Sequence, residues 1–108
     1  MSITVNLYYK GAGDAARKFA EEMETSGTAD AIRAEEGNER YEYFLSLSDP
    51  ETVLLIDRWE DQEAIDRHHA TPMMKEIMRL REKYNLSVTA ERYAEEEVPD
   101  KDREFVRN

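Results

Sequence analysis

Apolar and polar side chains alternate at the start of the chain, and this period of two is typical of a β-strand with one buried face. Three further stretches have the composition of strands, and a turn at 48–51 joins the second and third of them into a hairpin. The pattern therefore predicts four strands, at residues 3–9, 41–47, 52–59 and 86–93.

Apolar residues spaced three and four apart predict helices between those strands. The first helical stretch ends at Gly37 and is interrupted near Gly27, so one long helix with a kink or a break is expected. A second helix is predicted over residues 62–70. Thr71 is expected to cap a third helix, with Pro72 at its first position, where a missing N–H costs nothing.

The predicted order is β-α-β-β-α-β, with the second helix split in two. Right-handed crossovers then place all four strands in one antiparallel sheet with the helices on one face, which is an α+β, ferredoxin-like fold. The third strand has apolar residues on both faces, because Leu55 shares the parity of Trp59 while Leu54 shares that of Ile56. The helices cover only one of these faces. We therefore expect a homodimer that packs sheet against sheet.

We expect one domain over residues 1–93 and a charged tail over residues 94–108. Nine of the fifteen tail residues are charged, so the tail is predicted to be solvated. Four apolar tail residues are exceptions, and their docking on the partner subunit is the alternative. These are Val98, Pro99, Phe105 and Val106.

Charge and composition narrow the classes of function. The 108 residues have a formal net charge of −10, and nucleic-acid affinity depends largely on Lys and Arg displacing counterions. We therefore expect no nucleic-acid partner and no anionic membrane surface. No apolar run approaches the roughly 20 residues that span a bilayer. The absence of Cys, and of signal-peptide features in MSITVNLYYK, favours a cytoplasmic location.

The two histidines of the chain, His68 and His69, are adjacent on the second predicted helix. They share an apolar face with Ala64 and Ile65, so one imidazole is expected to face the space between helix and sheet. The alternatives are a core histidine or a cation near the helix C-terminus. A metal site is not expected, because adjacent helical side chains diverge by about 100° and no HxxxH or HxxE spacing accompanies them.

Several other residues each have two interpretations. Trp59 is either a core aromatic residue or the wall of a pocket at the end of the third strand. Met73 and Met74 either fill the core or line a pocket that adapts to a flat ligand. Asn6 needs hydrogen-bond partners if it is buried, and it either orients a bound oxygen or lies at the dimer interface.

Three segments of the chain follow one another in a characteristic order and spacing. They are RAEEGNERYEYF (33–44), PETVLLIDRWEDQEAIDRHHATPMMK (50–75) and SVTAERY (87–93). Together they resemble the antibiotic biosynthesis monooxygenase family, with its quinol monooxygenase branch nearest. The resemblance covers residues 1–93 and implies a ferredoxin-like fold whose dimer forms an α/β-barrel. It also implies oxidation of a quinol or polycyclic phenol by O2 without flavin, haem or metal.

The resemblance also implies roles for individual residues. His68 falls on the recurrent helix histidine of the family and is expected to act as a general base on a phenolic proton. Asn6 is expected to orient the substrate and, like Tyr8, to hydrogen-bond the resulting oxyanion. Many members have Thr-Pro-His-Met where this chain has Thr-Pro-Met-Met at 71–74, which removes one acid–base group. The expected substrate-binding residues are Trp59, Tyr8, Tyr43, His69, Met73 and Met74.

Two other functions fit the same fold. One is a dimer that binds a small molecule without turning it over, and the other is an isomerase-type enzyme. A binder would retain its affinity without His68, whereas an isomerase would turn over its substrate without O2.

Overall fold

The computed structural model describes residues 1–107 and contains four strands and four α-helices in the predicted order. A 3-10 helix, Asp100–Phe105, follows the last strand. The elements are β1 Ile3–Lys10, α1 Ala15–Thr25, α2 Thr28–Arg33, β2 Asn38–Leu45, β3 Thr52–Trp59, α3 Gln62–His69, α4 Met73–Lys83 and β4 Ser87–Ala94.

The four strands form one antiparallel sheet in the order β2-β3-β1-β4. In this order β1 and β3 are the inner strands, and Leu55 of β3 lies opposite Leu7 on one side and Tyr43 on the other. The predicted α+β, ferredoxin-like fold is confirmed.

The core lies between the helices and one face of the sheet. Along β3 the burial alternates, so that Val53, Leu55, Asp57 and Trp59 are buried and the residues between them are half-buried. Both faces of β3 are thus partly apolar, as the sequence predicts. We call the face that bears Leu54 and Ile56, away from the helices, the open face. The other large core residues are Tyr9, Phe19, Met23, Ile32, Tyr41, Ile65, Ile77 and Leu80.

The predicted interruption near Gly27 is a true break between α1 and α2. Gly27 has φ of 83°, in the left-handed region that glycine adopts without a steric penalty. The chain changes direction there, and both helices still bury apolar side chains, Phe19 and Met23 from α1 and Ile32 from α2.

Gly37 allows α3 to pack directly on the turn that precedes β2. Its φ is 86°, and a methyl group on its Cα would lie 2.6 Å from the Cβ of Ala64. The Glu60 N–H also donates to the Gly37 carbonyl at 2.9 Å. This close approach brings the residues just before Gly37 next to the inner side of α3.

The predicted cap of the last helix is wrong. Pro72, and not Thr71, occupies the N-cap position of α4, and no side chain caps this helix. The Thr71 hydroxyl instead donates to the carbonyl of His68 at 2.7 Å. The connection between α3 and α4 is so short that this hydroxyl satisfies the end of α3 rather than the start of α4.

The second strand begins and ends earlier than predicted, and Leu47 lies beyond it, fully exposed. After β4, the Glu95 N–H donates to the Ser2 carbonyl at 3.0 Å. Within residues 95–107 the apolar side chains of Val98, Phe105 and Val106 are exposed. The last residue of the predicted tail, Asn108, lies outside the described residues. Among the helices of residues 1–107, none is long and apolar enough to cross a bilayer.

Candidate functional site

His68 faces the sheet from α3, as predicted for one of the two histidines. Asp61 caps this helix by accepting the Ala64 N–H at 2.9 Å, and Ala64, Ile65 and His68 point inward. The imidazole is 4% exposed. It stacks on the indole of Trp59, with ring centroids 4.7 Å apart and ring planes 28° apart.

A carboxylate fixes the orientation of this imidazole. Oε2 of Glu35 lies 2.8 Å from Nδ1 of His68. Glu35 belongs to the turn after α2, where its N–H donates to Ile32 and its carbonyl accepts from Asn38. When Nδ1–H donates to this carboxylate, Nε2 carries the lone pair. No protein group within residues 1–107 hydrogen-bonds Nε2, so this atom is available as a proton acceptor.

A second carboxyl group, that of Asp57, contacts the Trp59 side of the stacked Trp59 and His68 rings. Oδ1 of Asp57 accepts the indole N–H of Trp59 at 2.5 Å. Burial raises the pKa of Asp57 to about 7; the Trp59 N–H partly offsets this rise, and the negative charge of Glu35 adds to it. The stacked Trp59 and His68 rings therefore have one carboxyl group at each end.

Three tyrosines surround Asp57 on the helix-facing side of the sheet. The hydroxyl groups of Tyr41 and Tyr43 lie 3.2 Å apart, and Tyr9 packs on Phe19 with a centroid distance of 4.6 Å. Burial raises the pKa of Tyr9 to about 12 and also raises the pKa values of Tyr41 and Tyr43. With raised pKa values these phenols stay protonated near pH 7, and one hydroxyl of the Tyr41–Tyr43 pair donates to the other.

Asn6 and Tyr8 lie on the open face, across the sheet from His68. Asn6 pairs with Ile56, and Tyr8 pairs with Leu54. The expected combination of Asn6 or Tyr8 with His68 is therefore not seen within this chain. Oδ1 of Asn6 is buried and has no hydrogen-bond partner among residues 1–107.

The remaining predicted residues of the two helices differ in burial. His69 is exposed, and its ring centroid lies 5.7 Å from that of His68. Met73 and Met74 are half-buried and pack against the core. No three His, Asp or Glu side chains within residues 1–107 converge as a metal-binding group.

An open groove of about 370 Å³ lies between α1 and β2. Tyr43 lines it together with Ala20, Phe44 and Val53. Neither Trp59 nor His68 lines this groove, and both side chains are buried.

Sequence reasoning missed both carboxyl groups of the site. Asp57 had a usable signal, because it occupies an inward position of β3, between Leu55 and Trp59. A charged residue in that register indicates a buried polar group. Glu35 had no such signal, since it is separated from His68 by 33 positions and reaches it only through the turn at Gly37.

The family model of antibiotic biosynthesis monooxygenases matches residues 2–80. The chain belongs to the antibiotic biosynthesis monooxygenase family. The match extends from β1 into α4 and so includes Glu35, Asp57, Trp59 and His68. The predicted resemblance is confirmed.

Individual relatives are more distant. The Bacillus subtilis (strain 168) protein named "Putative monooxygenase YcnE" is 28% identical over 69 residues, which is 64% of this chain and 70% of YcnE. Two solved structures share the fold. A Deinococcus radiodurans protein has a TM-score of 0.76 at 21% identity, covering 93% of this chain and 97% of its own. Streptomyces nogalater SnoaB, described as a cofactor-independent oxygenase, has a TM-score of 0.74 at 15% identity, covering 92% and 97%.

Proposed function

We propose that this antibiotic biosynthesis monooxygenase domain oxidises a quinol or polycyclic phenol with O2 and requires no cofactor. The observation that carries the proposal is the buried pair of Glu35 and His68, which leaves Nε2 of the imidazole as a proton acceptor against an aromatic wall. Family membership supports the reaction class. The description of SnoaB as a cofactor-independent oxygenase supports the absence of a cofactor.

The reaction requires an electron-rich substrate. A phenol with a pKa of about 10 is ionised about one part in a thousand at pH 7, a deficit of roughly 4 kcal/mol. In the proposed mechanism Nε2 of His68 takes the phenolic proton, and the Glu35 carboxylate stabilises the imidazolium that forms. The phenolate then gives one electron to O2, and the two radicals combine to form a C–O bond. For a hydroquinone, one oxygen atom enters the ring to give a hydroxyquinone, and the other leaves as water.

The proposed substrate site lies between Trp59 and the start of α4. Trp59 provides aromatic surface, and Met73 and Met74, which pack against the core at the start of α4, provide adaptable apolar surface. Tyr43 lines the groove between α1 and β2 and is not part of this site. Because His68 is 4% exposed, a substrate must displace part of the packing around it, and in this proposal the half-buried Met73 and Met74 move aside. We assign His69 to the rim of this site.

We propose a homodimer that packs the open faces together. Leu54 and Ile56 are half-buried at the centre of this face, and Tyr93 at its edge is half-exposed. An unpaired buried amide oxygen costs free energy, and a second subunit would offer Asn6 a donor. In this arrangement Asn6 and Tyr8 contribute to the interface, and any contact with a substrate depends on the partner.

A non-catalytic binding dimer is the second candidate. The observation that favours it is the open groove between α1 and β2, whose volume of about 370 Å³ lies in the range of small-molecule pockets. Such a protein would bind a flat phenol without consuming O2.

The test is O2 uptake by metal-stripped protein with a reduced naphthoquinol. Wild-type protein should exceed the autoxidation rate in buffer, and His68→Ala should lower kcat by about 10²- to 10⁴-fold, as for a lost general base. Arg67→Ala is the control, because Arg67 is an exposed residue of the same helix outside the proposed site, and it should retain about the wild-type rate. Uptake by wild-type protein equal to that in buffer would overturn the oxygenase and favour the binder. Turnover under argon would indicate an isomerase.

A further inference from the structure

The proposed mechanism leaves Asp57 without a role. This carboxyl group is 7% exposed and occupies a position of β3 between the buried residues Leu55 and Trp59. No Lys, Arg or His pairs with it among residues 1–107, and its one side-chain hydrogen bond is to the indole N–H of Trp59. A buried carboxyl group with this single directed contact indicates a function for that contact.

The contact is one end of a continuous arrangement. Asp57 holds the indole nitrogen, the indole lies flat against the His68 ring at 4.7 Å, and Glu35 holds Nδ1 of that ring at 2.8 Å. Trp59 is 1% exposed, so water does not compete for its N–H. The orientation of the indole is thereby tied to Asp57, and the face that it presents to His68 follows from that orientation.

We propose that Asp57 is a positioning residue of the site, which holds the Trp59 ring flat against His68 by accepting its indole N–H. The imidazole is then fixed in two ways, in its plane by the stacked indole and in its tautomer by Glu35. This inference rests on the proposed function only where it assigns His68 as the base. The arrangement of Asp57, Trp59 and His68 can be tested without any turnover.

The strength of the hydrogen bond from the Trp59 indole N–H to Asp57 depends on the charge of Asp57. An ionised carboxylate accepts an N–H more strongly than a neutral carboxyl group does. Burial raises the pKa of Asp57 to about 7, so the charge changes near neutral pH. The other titratable groups that face Asp57 are three neutral phenols and one acidic residue, namely Tyr9, Tyr41, Tyr43 and Glu35. His68 lies on the opposite side of the indole.

Trp59 is the single tryptophan of the chain, so the tryptophan fluorescence reports on the surroundings of this one indole. We would record its emission from about pH 5 to 9 in wild-type protein and in Asp57→Asn, which keeps an acceptor oxygen but cannot ionise. A transition should occur in wild-type protein between about pH 6 and 8, near the raised pKa of Asp57, and it should be absent in Asp57→Asn. Asp66→Asn on the exposed side of α3 should retain it, and so should His68→Gln, which removes the imidazole.

Steady-state kinetics of Asp57 variants distinguish a positioning role of this residue from a role in folding alone. Asp57→Leu removes the acceptor and should lower kcat by about 10- to 100-fold with KM within about twofold, because the base is misplaced and not lost. Asp57→Asn should recover most of this kcat and show a flatter pH profile between about pH 6 and 8.

Either of two results would overturn the inference: a fluorescence transition that persists unchanged in Asp57→Asn, or folded Asp57→Leu with the wild-type kcat. If Asp57→Leu does not fold, the fluorescence of Asp57→Asn alone tests whether Asp57 positions the Trp59 ring. If wild-type protein shows no O2 uptake, the proposed function fails, and the fluorescence transition still tests whether Asp57 controls Trp59.

Discussion

Oε2 of Glu35 and Nδ1 of His68 lie 2.8 Å apart, although 33 positions separate the two residues in the chain. This contact joins the turn before β2 to α3 and, when Nδ1–H donates to the carboxylate, leaves Nε2 of the buried imidazole free. Both side chains are largely buried, so solvent screens their interaction only weakly.

Replacing Glu35 by Gln should weaken catalysis without abolishing it. The amide can still accept the Nδ1–H, but it carries no charge to stabilise the imidazolium that forms during proton transfer. We expect kcat to fall by about tenfold with little change in KM, measured by O2 uptake with a reduced naphthoquinol. Glu36→Gln is the control, because Glu36 is the exposed neighbour. Equal losses in both variants would contradict a specific role of Glu35.

Gly37 should be more sensitive to substitution than Gly13. Both residues have positive φ, 86° and 62°, so alanine at either position incurs the left-handed penalty of about 1–2 kcal/mol. Only at Gly37 would the new methyl group also meet Ala64, whereas nothing lies within 4 Å of the corresponding position at Gly13. Urea unfolding should show Gly37→Ala less stable than Gly13→Ala by at least about 1 kcal/mol. Equal stabilities would contradict the close packing of α3 on this turn.

Asp57 should make the protein less stable as the pH rises. Its pKa is raised from 3.8 to about 7 in the folded state, so the folded protein binds this proton more tightly than the unfolded chain. The resulting stabilisation is complete below about pH 4, and it is lost as the pH rises toward 7, a change of up to about 4 kcal/mol.

Asp57→Asn has no proton to lose at this position, so its free energy of unfolding should rise relative to that of wild-type protein as the pH increases from about 4 to 7. The measurement is the free energy of unfolding of both proteins in urea from about pH 4 to 8. The difference should grow in favour of the variant as the pH rises. Parallel curves would show that Asp57 does not titrate with a raised pKa in the folded protein.

A charge on the open face should dissociate the proposed dimer. Leu54→Asp places a carboxylate at the centre of this face, where it would be buried without a partner if two sheets pack together. Sedimentation velocity should show a dimer for wild-type protein and a monomer for Leu54→Asp. Leu47→Asp makes the same chemical change at a fully exposed position and should remain a dimer. A monomeric wild-type protein would contradict the sheet-to-sheet interface.

The sequence predicted the fold well because its signals are local. The alternation along β1 and β3, the hairpin turn at 48–51 and the break at Gly27 each depend on a few neighbouring residues. The same alternation places Asn6 on the face away from the helices, and the register with Ile56 agrees. The alternation of faces along the strand therefore predicted the neighbours of Asn6 better than the chemical type of this residue did.

The candidate site was predicted only in part, because its contacts are tertiary. Helical periodicity was enough to predict that one of the two histidines points inward. It could not choose the partner of Nδ1, which comes from a turn in a distant part of the chain, nor could it show that the indole of Trp59 would find its acceptor two residues earlier on its own strand. The pairing of Glu35 with His68 depends on how two distant elements meet, and no spacing within one element encodes it.

The place of β1 in the sheet has a consequence for how the chain folds. Tyr9 pairs with Val53 on one side and with Val88 on the other, so both neighbours of this strand come from much later in the sequence. The β2–β3 hairpin can form early from local contacts, whereas β1 must wait for two distant partners, and closing such loops slows folding. Until β4 joins, β1 presents an unpaired edge next to the apolar open face. An unpaired edge of this kind favours aggregation during folding.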